Sequence, residues 1–110
     1  MAMASLPRFF AMRATSEGAY LCVQKNPPSS RPLRFNERQI FSPRVKFAVE
    51  DSTTGDYTVV HIRSCYNNKY WVVHNIQVRL WIGASVERPQ EDPTNPACTL
   101  FRPSQSGTQG

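Results

Sequence analysis

Between Val59 and Asn75 the apolar and polar positions alternate, and the phase of that alternation predicts two strands. Val60 and Ile62 alternate with Val59, His61 and Arg63, the period of two expected of a half-buried strand. Asn67-Asn68 interrupts the pattern, and Asn tolerates the left-handed backbone that a tight hairpin needs. Tyr70-Trp71-Val72-Val73 then supplies the aromatic and β-branched residues of a returning strand.

The same pattern occurs earlier in the chain. Phe9–Ala14 alternates as a strand, Thr15–Gly18 makes a turn in which Gly18 is free to take a positive φ, and Tyr20–Gln24 returns. Asn26–Pro32 is a loop, since its three prolines remove donors and fix φ. Leu33–Phe35 reads as a short strand, Arg38–Pro43 as a connection, Val45–Glu50 as a strand and Asp51–Asp56 as a turn. At an offset of 50 residues Phe10 meets Val60, Met12 meets Ile62, Arg13 meets Arg63, Gly18 meets Asn68, Tyr20 meets Tyr70, Leu21 meets Trp71 and Val23 meets Val73. The second unit then continues into Leu80–Ser85, and the two units rejoin, slightly out of step, at Phe47 and Phe101. Two units of this kind form an internal repeat. A hairpin alone cannot bury its apolar face, so the units are expected to pack on each other in an all-β domain.

Composition fits such a domain. Of 110 residues, 40% are hydrophobic and 19% charged, which is globular usage. No window approaches the roughly 18 apolar residues of a membrane helix. The N-terminal residues carry no continuous apolar run, so no signal peptide is expected. Cys22, Cys65 and Cys98 are too few and too irregularly spaced for a disulfide framework. A cytoplasmic or nucleocytoplasmic setting follows as the expectation. Residues 104–110 are small and polar and are expected to be a disordered tail.

The net charge of +5 is confined to residues 1–50, where eight Lys/Arg face three Asp/Glu; residues 51–110 hold five of each. Lys25, Arg31, Arg34, Arg38, Arg44 and Lys46 make a stretch that could track phosphates. It comes with no recognition helix and no aromatic RNA-binding motif, so nucleic acid is not the expected partner and a solvated loop region is.

Catalytic chemistry is equally sparse. His61 and Cys65 share strand parity, but a strand separates such a pair by about 13 Å, which suits neither a zinc pair nor a Cys–His nucleophile. His61 reads as a partly exposed strand histidine. Glu87, Glu91 and Asp92 sit in a Pro-bounded stretch and read as a solvated loop rather than an acid–base pair. No phosphate-binding or hydrolase motif occurs. Neither an enzyme nor a cofactor or metal is expected. Aromatic and amide side chains do recur near loops: Tyr66, Asn67, Asn68, Tyr70, Trp71, Asn75 and Trp81. A sugar presents an apolar C–H face and a rim of hydroxyls, so a shallow site needs an aromatic platform with amides or charges beside it. Tyr70 and Trp71 fit core packing, and Trp81, with Arg79 nearby, is the candidate platform.

Taken together, Val60–Ser64 (VHIRS), Tyr66–Tyr70 (YNNKY), Trp81–Pro89 (WIGASVERP) and Ala97–Pro103 (ACTLFRP) resemble the agglutinin domain of amaranthin-type plant lectins. Leu6–Phe9, Tyr20-Leu21 and Phe47–Glu50 fit the first repeat of the same family. The resemblance spans residues 6–103, leaving 1–5 as an N-terminal tail, with repeat 1 over about 8–50 and repeat 2 over about 57–103. It implies a β-trefoil of three repeats, of which this chain carries two, an incomplete trefoil. It also implies a non-catalytic lectin module for galactose/N-acetylgalactosamine-type glycans, with a glycan or glycoprotein as partner and fusion to further agglutinin or pore-forming domains. In the family pattern an Asn and a Tyr immediately precede the Trp that matches Trp81; here Gln77-Val78-Arg79-Leu80 stands there. The expected carbohydrate-binding residues are therefore Asn75, Arg79 and Trp81, on a loop after the second hairpin. The alternative is a structural or protein-interaction fragment that forms homo-oligomers through open sheet edges.

Overall fold

A computed structural model describes residues 7–25, 32–76 and 79–104. The tail expected over 1–5, most of the 26–32 loop, Gln77-Val78 and residues 105–110 of the expected C-terminal tail lie outside them.

The described chain is all-β and trefoil-like. Its strands are β1 (Phe9–Phe10), β2 (Tyr20–Cys22), β3 (Arg34–Glu37), β4 (Phe47–Asp51), β5 (Val60–Ser64), β6 (Tyr70–Ile76) and β7 (Arg79–Val86). Five of them form one antiparallel sheet in the order β1-β4-β5-β6-β7, and β2 pairs with β3. Pro43 leads a 3-10 turn, Pro43–Val45, capped by the Ser42 hydroxyl, so β4 begins at Phe47 rather than at Val45.

The two hairpins follow one design. Arg13 bridges to Tyr20 and Arg63 pairs with Tyr70. The Ala14 N–H donates to Ala19 C=O at 2.9 Å and the Ser64 N–H to Lys69 C=O at 2.8 Å. Gly18 and Asn68 close the turns at φ 71° and 60°. The ladder slips by one residue after Tyr20 and again after Tyr70. Phe10 pairs with Phe47, and Val60 pairs with Phe101, its counterpart in the second unit.

Pairing partners differ from the local reading in three places. The strand expected over Phe9–Ala14 is regular only at Phe9–Phe10, because Met12 and Arg13 turn toward the next segment; Leu21 N–H donates to Met12 C=O at 2.8 Å. The strand expected over Tyr20–Gln24 ends at Cys22, and its ladder partner is β3. In the Asn75–Trp81 stretch, expected as a loop, the described residues are the end of β6 (through Ile76) and the start of β7 (from Arg79).

An aromatic cluster holds the units together. Phe47 is completely buried, and Trp71 meets Phe47, Phe10 and Phe101 edge-on with ring centroids 5.1, 6.0 and 5.9 Å apart. Edge-to-face packing places positive ring edges against negative faces and adds to the burial of each ring. Leu21, Val23, Val60, Ile62 and Ala84 complete the core, so both units contribute to it. Tyr70 is also buried, and its hydroxyl donates to Glu50 at 2.6 Å.

Candidate functional site

Trp81 lies near the end of the β6–β7 hairpin where the link joins the two strands, two rungs from the rung next to that link. The register sets His74 opposite Trp81, Asn75 opposite Leu80 and Ile76 opposite Arg79. Directly opposed residues of an antiparallel pair share a face, and neighbours along a strand alternate. His74, Trp81 and Arg79 therefore stand on one face. Asn75 and Leu80 stand on the other, so the structure does not bring Asn75 together with Arg79 and Trp81.

The His74 and Trp81 rings stack, with centroids 4.1 Å apart and planes inclined by only 20°. Side chains directly opposite each other on an antiparallel pair approach closely enough for such contact, and a stacked pair fixes the indole orientation. The Ser85 hydroxyl lies 3.1 Å from His74 Nε2 and fixes the imidazole in turn. Burial holds the His74 pKa below the ordinary histidine value, so the ring under Trp81 is uncharged at neutral pH. Trp81 and His74 are half-buried, whereas Arg79 is exposed. The arrangement is a rigid aromatic platform with a cation two residues away. His74 is absent from the residues singled out in sequence; the signal was its place seven residues before Trp81 across a short link, which is legible only once the register is known.

Other candidate chemistry is occupied by structure. His61 is buried, not partly exposed: only 2% of it meets solvent. Its Nε2–H donates to the Glu91 carboxylate at 2.6 Å, and Nδ1 lies 2.8 Å from the Thr99 hydroxyl. Glu91 also accepts from the Thr53 hydroxyl at 2.6 Å and the Thr53 N–H at 2.9 Å. These bonds, the Thr53 hydroxyl foremost and His61 next, hold the Glu91 pKa at about 2. Glu91 thus ties the loop after β4 to the loop after β7 and is not a free solvated carboxylate. Glu87 is exposed, with Lys69 Nζ 3.7 Å away, and Asp92 accepts from the Thr94 N–H and hydroxyl.

The basic stretch is likewise partly consumed. Arg44 bonds Glu37 at 2.8 Å and the Val23 carbonyl at 3.0 Å, Arg38 bonds the Glu17 carbonyl, and Lys46 sits over the Phe9 ring at 4.5 Å. Among the described residues no group of His, Cys, Asp and Glu side chains is placed to hold a metal ion, and no helix is long and apolar enough to cross a membrane. Cys22, Cys65 and Cys98 are free thiols.

The sequence model of the Agglutinin domain family matches residues 4–108, nearly the whole chain. No curated protein sequence matches it.

Proposed function

The chain belongs to the Agglutinin domain family and is a lectin-type module, and from that premise we propose that it binds glycans of the galactose/N-acetylgalactosamine type on the β6–β7 hairpin, without catalysis. The observation that supports this site is the His74–Trp81 stack. His74 backs one face of the indole, and the sugar's C–H face stacks on the other. Arg79, exposed and on the same face, donates to ring hydroxyls. Asn75, on the reverse face, takes no part in this platform. The family's Asn and Tyr ahead of the Trp are replaced here by Arg79 and Leu80 with the link before them, so the hydroxyl rim is read by a cation rather than an amide and a phenol.

A single stacked ring contributes on the order of 1 kcal/mol, so a monovalent site of this kind is weak and useful affinity comes through multivalent display. The free thiols favour a reducing compartment, cytoplasmic or nucleocytoplasmic, as the place of action. The test is a glycan array on monodisperse protein, followed by titration of galactose and N-acetylgalactosamine into the wild type and Trp81→Ala. Binding abolished by Trp81→Ala is the expected result. Binding that survives it in full moves the site elsewhere, and no binding to any glycan rejects the reading.

A further inference from the structure

Beside the aromatic core lies an open apolar groove of about 360 Å³ whose walls include Phe10, Met12, Trp71, Phe101 and Pro103. Core side chains form its floor, Met12 is 42% exposed on its rim, and the Trp71 indole N–H is buried without an acceptor among the described residues. An apolar opening that exposes core aromatics is the mark of a surface that meets another chain.

The internal repeat specifies what fits there. Strand β4 pairs with β1 along one edge, through Phe10 and Phe47, and with β5 along the other, through Phe47 and Ser64. The segment at Phe101 stands to β5 as β4 stands to β1, through the Val60–Phe101 bridge with its two 2.8 Å hydrogen bonds. Its outer edge therefore corresponds to the edge of β4 that carries β5. The outer edge of β1 corresponds to the edge of β5 that carries β4. Among the described residues neither outer edge has a strand partner, and the groove lies between them. The donors also face the right way. Phe101 N–H points inward to Val60, so the strand alternation turns the Arg102 and Ser104 N–H groups outward. Pro103, which has no N–H, falls on an inward rung and costs the outer edge nothing.

We propose that the occupant is a second copy of this chain, joined about a two-fold axis. Residues 101–104 of each copy pair with β1 of the other, repeating between chains the β4–β5 junction found within one. Because the contact occurs twice, both open edges and both grooves close together, which leaves no edge for further growth. Four strands from each copy (β1, β4, β5 and the 101–104 segment) make eight, a barrel whose interior side chains can fill. Arg102 does not obstruct the junction, since its guanidinium turns back to Thr58 at 2.7 Å and Asp56 at 3.7 Å. The assembly is distinct from the glycan platform, which sits at the far end of the β6–β7 hairpin.

Sedimentation equilibrium of the 110-residue chain across the micromolar range tests the proposal. The wild type is expected at twice its 12.5 kDa mass. Ser104→Pro removes an outward donor without touching the core, and Met12→Lys puts a charge on the groove rim. Each is expected to give a folded monomer by far-UV circular dichroism. In the wild type, amide exchange at Arg102 and Ser104 is expected to slow as concentration rises, a readout that needs no variant. A monomeric wild type, open-ended polymers, a dimer that persists in the folded variants, or fast exchange of those two amides at every concentration overturns the proposal.

Discussion

Gly18 and Asn68, fifty residues apart, occupy the same turn position with the same backbone. Both are left-handed, at φ 71° and 60°, and each donates its N–H to the carbonyl four residues back at 2.8 Å, Ala14 for one and Ser64 for the other. A β-carbon in this conformation costs roughly 1–2 kcal/mol, which Gly avoids and which Asn offsets by local hydrogen bonding. Asn68 Oδ1 here accepts from Arg63 at 2.9 Å. A β-carbon on Gly18 meets nothing closer than the Arg13 guanidinium at 3.7 Å, so the penalty there is conformational. Gly18→Ala is expected to lower the free energy of unfolding by about 1 kcal/mol, and Asn68→Ala by a similar amount, while Asn68→Gly is near neutral. Urea unfolding of the three variants measures this; an Asn68→Gly as damaging as Asn68→Ala shows that the side-chain bond, not the backbone, governs the turn.

Phe47 is where the two units meet. It pairs with Phe10 in its own unit and with Ser64 in the next, and its ring lies against Trp71. Complete burial leaves no route for solvent to fill the space it vacates. Phe47→Ala is expected to cost about 3–5 kcal/mol, enough to unfold much of a domain of marginal stability, whereas Phe47→Leu retains a folded, weakened protein. Thermal melts followed by circular dichroism separate the two. A Phe47→Ala melt close to wild type places the core elsewhere.

Features set by neighbouring residues were legible in the sequence, and features set by distant ones were not. The turns at Gly18 and Asn68, the strands around Ile62 and Trp71, and the core character of Tyr70 and Trp71 come from alternation and turn chemistry within a dozen residues. The match of Phe47 with Phe101 was also readable, because both units preserve it. Which strand β2 joins is decided by β3 across the 26–31 segment, and no local pattern reports that. His61 sits at a polar parity of β5 and so reads as exposed; Glu91 and Thr99, thirty or more residues away, cover it. The division of Asn75 from Trp81 follows from register alone. A shift of one residue would reverse it, and the apolar pattern near the hairpin end, where both faces are open, does not fix that choice.

On the β6–β7 hairpin the platform reading separates residues that lie close in sequence. His74→Ala removes the ring that backs Trp81 and is expected to weaken glycan binding roughly fivefold, the equivalent of about 1 kcal/mol. Asn75→Ala, on the reverse face, leaves binding unchanged, and Arg79→Ala weakens it while Arg79→Lys restores part of the loss. Isothermal titration with the best glycan from the array compares the four. An Asn75→Ala variant that loses more affinity than His74→Ala refutes the face assignment.

The Glu91 carboxylate, held by the Thr53 hydroxyl and by His61, gives the fold an acid limb whose sign can be worked out. Glu91 ionises at about 2 when folded and near its ordinary 4.5 when unfolded. Above about 4.5 both states are ionised and the full stabilisation is present. As pH falls below that value the unfolded chain takes up a proton that the folded chain refuses, so stability declines until the folded carboxyl also protonates near pH 2. Glu50, Asp56 and Asp92 are lowered as well, Asp56 and Asp92 mainly by the hydroxyls of Thr58 and Thr94, and Glu50 by Tyr70 and Arg63 against its own desolvation. They add to the same limb. Glu91→Gln keeps the shape of the side chain but removes its titration, so its denaturation midpoint at neutral pH is lower than that of the wild type and its decline between pH 4.5 and 2 is shallower. Urea midpoints taken at steps through that window measure both effects. Equal slopes for wild type and Glu91→Gln place the acid sensitivity in the other carboxylates and reduce the Glu91 contact to a neutral hydrogen bond.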